Sequence, residues 1–282
     1  MPRNLILCST GCFIGTKNSF DHTLIAKLKH GLLFHGFEIF SPPNIYADKL
    51  EEYEPIAEVV DKARNDGCLF YSMHMNKSIG EMLSRNESGD IENALRLFES
   101  DCRYAVRYGV SLLVLHLWNG PPSDKNIHVN IGQFPKLKEI SDKYGLTLTV
   151  ENIVCNTYKP LDHMRKLWEL YPGDIKFTID VRQAEFHKSL AETCESEFLW
   201  ENNLVPHVHI SDYRGVYMDW NSLWLFPPLN QGDVDFGYLF AFLKSIGYKG
   251  SFTYENSFIQ DNDDLLPKLN GAYEFIANGL LD

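Results

Sequence analysis

Residues 176–180 read KFTID, and residues 207–212 read HVHISD. Each is a short apolar run that ends in side chains able to bind a metal. A carboxylate closes the first, and histidines interrupt the second just before an Asp. LTLTVEN (146–152) and SFTYEN (251–256) have the same form, with Glu151 and Glu255 near their ends. Continuous apolar runs of this length read as strands buried on both faces. Four strands thus carry a carboxylate or imidazole at the C-terminal tip, and the rest of the chain reads as the frame that gathers those tips.

Working outward, four more runs of this kind precede them: LILCS (5–9), FEIF (37–40), LFYSMHM (69–75) and SLLVLHLW (111–118). Amphipathic segments alternate with the runs. Helices are expected over 20–35, 49–65, 90–108, 131–144, 160–170, 236–246 and 264–277, with a helical stretch of mixed quality over 183–201. Leu24, Ile25, Leu28, Leu32 and Leu33 give the first of these one buried face at helical spacing. Asp90 stands where an N-cap belongs, and the segment before it, with Gly80 and Gly89, reads as a loop. A long stretch over 212–235 is rich in Trp, Tyr and Pro. Strand followed by helix, eight times in 282 residues, predicts a (β/α)₈ barrel, one domain over 1–282. An open doubly wound sheet is the alternative. It usually carries a GxGxxG loop after its first strand, and TGCFIG (10–15) lacks that spacing.

The formal net charge of −12 disfavours a nucleic-acid partner. The six cysteines form no CxxC pair and read as reduced core residues. No apolar run approaches the ~20 residues needed to span a bilayer, and the N-terminal run is too short for a signal core. A cytoplasmic protein with no membrane partner is the expectation.

Active sites of such barrels form at the C-terminal ends of the strands. There this chain places His74, His116, Glu151, Asn152, Asp180, His207, His209, Asp212, Glu255 and Asn256. Converging carboxylates repel one another unless a cation joins them. Oxygen donors with imidazole suit a divalent ion, Mn²⁺ first, with Co²⁺, Mg²⁺ and Zn²⁺ as alternatives. Singly, each residue has a plainer reading, as a hydrogen-bonded core histidine or a paired carboxylate. Jointly, Glu151, Asp180, His209 and Glu255 read as a metal site. His207 and His209 share a face because strand side chains alternate, and His209 lies nearer the tip.

The pattern resembles the xylose-isomerase-like barrel superfamily, which includes sugar and sugar-phosphate isomerases and epimerases and the endonuclease IV type of apurinic endonuclease. The pieces that carry the resemblance are TVEN, TID, HVHISD, NQGDVDF (230–236) and GYKGSFTYEN (247–256). It spans essentially the whole chain and is stronger in the second half. It implies that Glu151, Asp180, His209 and Glu255 are the metal ligands of the ketose 3-epimerase and hydroxypyruvate-isomerase-like branch. It also implies that Glu151 and Glu255 move a proton through an enediolate. His74, His116 and Glu151 match the first zinc of the endonuclease branch, so a second metal or a substrate contact at His74 and His116 stays open. Gln183 replaces a histidine that the third zinc of that branch requires, and apolar residues replace its Asp-x-His. The trinuclear phosphodiester site is therefore not expected.

The same Gln183 stands where an epimerase has a substrate-contacting His, and His187, four residues on, is the candidate to compensate. Arg214 matches a substrate-contacting Arg, with a surface salt bridge as the plainer alternative. Trp118 and Trp224 are candidate pocket residues, and the aromatic loop around Trp224 suits a sugar face or a subunit interface equally. The leading reading is a metal-dependent isomerase or epimerase of a carbohydrate-like small molecule. A metal-dependent hydrolase, phosphodiesterase or lyase with a second ion, and a non-catalytic ligand-binding barrel, are the competitors. A homo-oligomer stays open.

Overall fold

A computed structural model describes residues 4–13, 23–41, 53–256 and 265–281. The N-terminal parts of the helices expected over 20–35 and 49–65, and residue 264, lie outside the described residues. So do the last two residues of TGCFIG. Eight strands pair in sequence order and β8 returns to β1, which closes a parallel barrel. The strands are β1 (Ile6–Ser9), β2 (Gly36–Phe40), β3 (Phe70–His74), β4 (Leu112–Leu115), β5 (Thr147–Glu151), β6 (Phe177–Asp180), β7 (His207–Ile210) and β8 (Ser251–Tyr254). The helices are α1 (Thr23–Leu28), α2 (Glu54–Asn65), α3 (Ser78–Arg85), α4 (Asp90–Tyr108), α5 (Ile127–Lys143), α6 (Pro160–Leu170), α7 (Val181–Phe186), α8 (Leu190–Cys194), α9 (Glu197–Trp200), α10 (Phe236–Ser245) and α11 (Leu265–Leu280). No described helix is long and apolar enough to cross a membrane.

Contacts gather in two compact units, Met1–Phe37 with Thr178–Asp282, and Glu38–Phe177. In the first unit β7 lies between β6 and β8. Thr178 faces His207, Asp180 faces His209, His207 faces Ser251 and His209 faces Thr253. β8 in turn pairs with β1, Cys8 facing Tyr254. In the second unit β4 lies between β3 and β5, with His74 facing Val114 and Leu115 facing Val150. β4, β7 and β8 are buried along their whole length, as the continuous apolar runs require.

Five local features differ from the sequence expectation. The helix expected over 20–35 ends at Leu28, and the chain then turns and runs irregularly into β2. The segment expected as a loop around Gly80 contains α3, whose Ile79, Met82 and Leu83 bury one face at helical spacing. Gly80 reads as a breaker in sequence, but it is there for packing. A Cβ on it would collide with the carbonyl oxygen of His116. The single stretch over 183–201 is three short helices, α7 to α9, interrupted by Lys188 in the left-handed region and by the turn at Glu195. Asp90 is the first helical residue of α4 and not its N-cap, which is Gly89. The Asp90 carboxylate instead accepts from the Glu87 N–H and from Arg85, and the guanidinium holds it below the usual carboxylate range against a smaller opposing effect of burial. Finally, β4 stops at Leu115, so His116 and Trp118 belong to the segment just past the strand.

Candidate functional site

In the first unit the alternation of β7 and β8 builds two rungs. The lower rung is His207. Its Nδ1 lies 2.6 Å from Ser251 Oγ and its Nε2 lies 3.0 Å from Thr253 Oγ1. Both ring nitrogens thus have β8 hydroxyl partners, and the ring is fully buried. The upper rung is His209 with Glu255, two residues beyond Thr253 and on the same face. His209 Nδ1 lies 3.0 Å from Glu255 Oε2 and 4.0 Å from Asp180 Oδ2. Asp180 ends β6 and caps α7, its Oδ1 accepting from the Gln183 N–H at 2.8 Å. That bond fixes the carboxylate and leaves its second oxygen toward His209. Two carboxylates and one imidazole from the ends of three neighbouring strands make a donor set that fits a divalent cation.

In the second unit His74, His116 and Glu151 converge. His74 Nε2 and His116 Nε2 are 3.0 Å apart, and Glu151 Oε2 lies 2.9 Å from the second and 3.4 Å from the first. All three are buried. His74 Nδ1 is 3.0 Å from the Met75 carbonyl, and His116 Nδ1 is 3.2 Å from Asn119 Oδ1. With those Nδ1–H groups donating outward, both Nε2 lone pairs face the carboxylate and each other. Burial pushes the pKa of His116 down to about 4 even though Glu151 pulls it upward, so the imidazole is neutral at pH 7. Lone pairs crowded around a carboxylate are stabilised by a cation, and outward Nδ1–H bonds are the usual support of metal-binding histidines. The site therefore fits a metal.

The His74 ring is held from outside the cluster. It stacks on Phe40 at 4.4 Å. Asp101, buried on α4, accepts from the Asn76 N–H, from Tyr53 Oη and from Ser41 Oγ, which fixes the chain just past β3. Burial pushes the Asp101 carboxyl up to about 6. A further group, Asp124 with Cys155 and His163, is also buried. There the carboxylate accepts from the backbone N–H groups of Asn156, Thr157 and Tyr158, with His163 at 3.3 Å. Burial alone would raise its pKa, but those donors outweigh it and hold the group low. Its lone pairs are occupied, and its work is to hold the chain after β5.

The remaining expected residues lie in different settings. Trp118 is fully buried, with its indole N–H donated to the Ile153 carbonyl. His187 is buried edge-on to Phe186 and Tyr217. It follows the end of α7 instead of lying within a longer helix beside Gln183. Arg214 is exposed and donates to the Gln231 carbonyl. Trp224 is 75% exposed. Asp212 is buried, and its carboxylate accepts from the N–H groups of Tyr213, Gln231, Gly232 and Val234. The Asp of HVHISD thus folds the NQGDVDF segment back over β7.

Sequence reasoning passed over Arg182. It is 5% exposed, its guanidinium lies 4.1 Å from the Phe226 ring centroid, and Nη2 makes a 3.5 Å contact with the Leu225 carbonyl. Its only signal in the sequence was its place two residues after Asp180.

The sequence model of the xylose isomerase-like TIM barrel family matches residues 27–267, and the chain belongs to that family. No curated protein sequence matches it. Solved structures with the same fold include a 3-keto-D-glucoside 4-epimerase from E. coli, 17% identical, covering 98% of this chain and 100% of its own, with a TM-score of 0.67. A D-allulose 3-epimerase from Methylomonas sp. is 17% identical, covers 99% of both chains and has a TM-score of 0.69. The IOLI protein with a bound zinc atom is 15% identical, covers 99% of this chain and 98% of its own, and has a TM-score of 0.73.

Proposed function

We propose that the chain is a divalent-metal-dependent isomerase or epimerase acting on a sugar or sugar derivative. The observation that carries this reading is the upper rung, Asp180, His209 and Glu255, brought together from the tips of three adjacent strands. Glu151 completes the proposed set from the end of β5, the strand that precedes β6 in the barrel order. Three carboxylates and one imidazole suit Mn²⁺ first, then Co²⁺, Mg²⁺ or Zn²⁺. A bound ion would supply the positive charge that stabilises an anion developing on two neighbouring substrate oxygens. In this reading Glu151 and Glu255 act as base and acid, one removing the proton from the carbon and the other returning it. Family membership supports the reading, as do the sugar epimerases that share the fold. Arg214 and Trp224 are proposed substrate contacts, while His187 and Trp118 are assigned to the supporting wall.

A second reading is favoured by the convergence of His74 and His116 on Glu151. A second ion there would suit activation of water, hence a hydrolase, phosphodiesterase or lyase.

Metal content per chain, measured after purification without chelator, separates the two. One ion, lost in Glu151→Gln but kept in His74→Ala, with C–H exchange of a ketose in D₂O, is the expected result. Two ions, one of them lost in His74→Ala, would shift the reading to hydrolysis. No ion under any loading condition rejects both.

A further inference from the structure

Arg182 is a buried cation without a counter-charge in contact among the described residues. Its Nε is buried and has no hydrogen-bond partner among the described residues, and no described carboxylate forms an ion pair with it. Beside it, Gln183 Oε1 is also buried and without a partner among the described residues. A guanidinium taken out of water and left unpaired is strongly destabilising. Its ring contact with Phe226 offsets a fraction of this. The planar fork of an arginine suits two oxygens of one carboxylate or phosphate. Arg182 lies two residues past Asp180, and the fields of the Asp180 and Glu255 carboxylates reach it.

We infer that Arg182 is a specificity-determining contact for an anionic group on the substrate, with the adjacent Gln183 Oε1 accepting from a substrate hydroxyl. The inference rests on the sugar isomerase or epimerase reading and narrows it. The substrate is an acidic sugar derivative, a sugar acid or a sugar phosphate, whose carboxylate or phosphoryl oxygens supply the counter-charge that the described residues do not place in contact with Arg182. Neutral ketoses lack that group, and with them the guanidinium stays unpaired.

The test is calorimetric titration of the metal-loaded protein with D-fructose, D-fructose 6-phosphate, D-glucuronate and inorganic phosphate. At least one anionic sugar is expected to bind about tenfold or more tightly than D-fructose, as a buried charge-assisted pair requires. Which of the two it is tells carboxylate from phosphate. In Arg182→Leu that advantage disappears, and in Arg182→Lys part of it returns. The wild-type comparison needs no variant, so a poorly folded Arg182→Leu does not leave the idea untested. Anionic sugars that bind wild type no better than D-fructose overturn it, as does an advantage that persists in Arg182→Leu, or no binding by any of the four. A loss of metal in Arg182→Leu with no anion preference in wild type would also overturn it, making Arg182 a charge balance for the carboxylates. Isotope exchange at carbon, measured separately with each sugar, judges the isomerase or epimerase reading. An anion preference without exchange would reject that reading and leave the role of Arg182 standing.

Discussion

His207 and His209 share one face of β7 with ring centroids 5.1 Å apart, yet they meet different chemistry. His207 meets two hydroxyls of β8, and His209 meets two carboxylates. Under the proposed function the first is a structural histidine and the second a ligating one. His207→Ala is expected to lower the unfolding free energy by about 2–4 kcal/mol, from the cavity and the two stranded hydroxyls. Its metal stoichiometry should match wild type. His209→Gln should show the reverse, a small change in stability and loss of metal. Metal analysis alongside denaturant unfolding of both variants checks this, and equal metal loss in the two would refute the division.

Gly80 is where α3 touches the backbone of His116. Gly80→Ala places a methyl against that carbonyl. The expected cost is about 1–3 kcal/mol, and the displaced His116 should weaken any ion held by His74 and His116. Gly132, with open space around its Cβ position, is the control on a neighbouring helix. If Gly80→Ala and Gly132→Ala melt together, the close packing is not limiting.

Asp212 ties four backbone N–H groups to one carboxylate. Asp212→Ala is expected to lower stability by about 2–4 kcal/mol. It should also speed amide exchange at Gln231, Gly232 and Val234 before the rest of the chain opens. Uniform exchange across the chain would mean that the carboxylate holds no local structure.

His116 gives a pH dependence with a definite sign. Its folded pKa, about 4, lies below the ordinary value of 6.5, chiefly because it is buried. Between those values the unfolded chain binds more protons, so the metal-free protein loses stability as pH falls from 6.5 toward 4. The full shift corresponds to on the order of 3 kcal/mol. His116→Gln should have a shallower slope over this window. Chemical denaturation at several pH values compares them, and identical slopes would exclude His116 as the source.

Much of the fold was legible because parallel barrel strands are apolar on both faces and helices between them are periodic. β8 begins and ends at the residues expected, α6 ends at the expected Leu170, and α4 covers the expected 90–108. α3 was not legible, because Gly80 carries a breaker's signature while doing a packing job that only the three-dimensional neighbour reveals. Asp180, His209 and Glu255 were legible as strand-tip residues, and alternation along β7 and β8 explains why. The role of His207 was not, since its hydroxyl partners come from another strand. Arg182 was missed in favour of Arg214 because nothing local predicts burial. It is the return of Phe226 from a distant loop that covers it.

The rungs of β7 and β8 also bear on how this site can change over time. Ser251, Thr253 and Glu255 meet the histidines only because they recur every second residue. Adding or deleting one residue within β8 would turn Tyr254 or Asn256 toward His209 and carry Glu255 away. Chemistry at this end of the barrel can therefore diversify through point substitutions at the strand tips and through the loops beyond them, while the strand lengths themselves stay frozen.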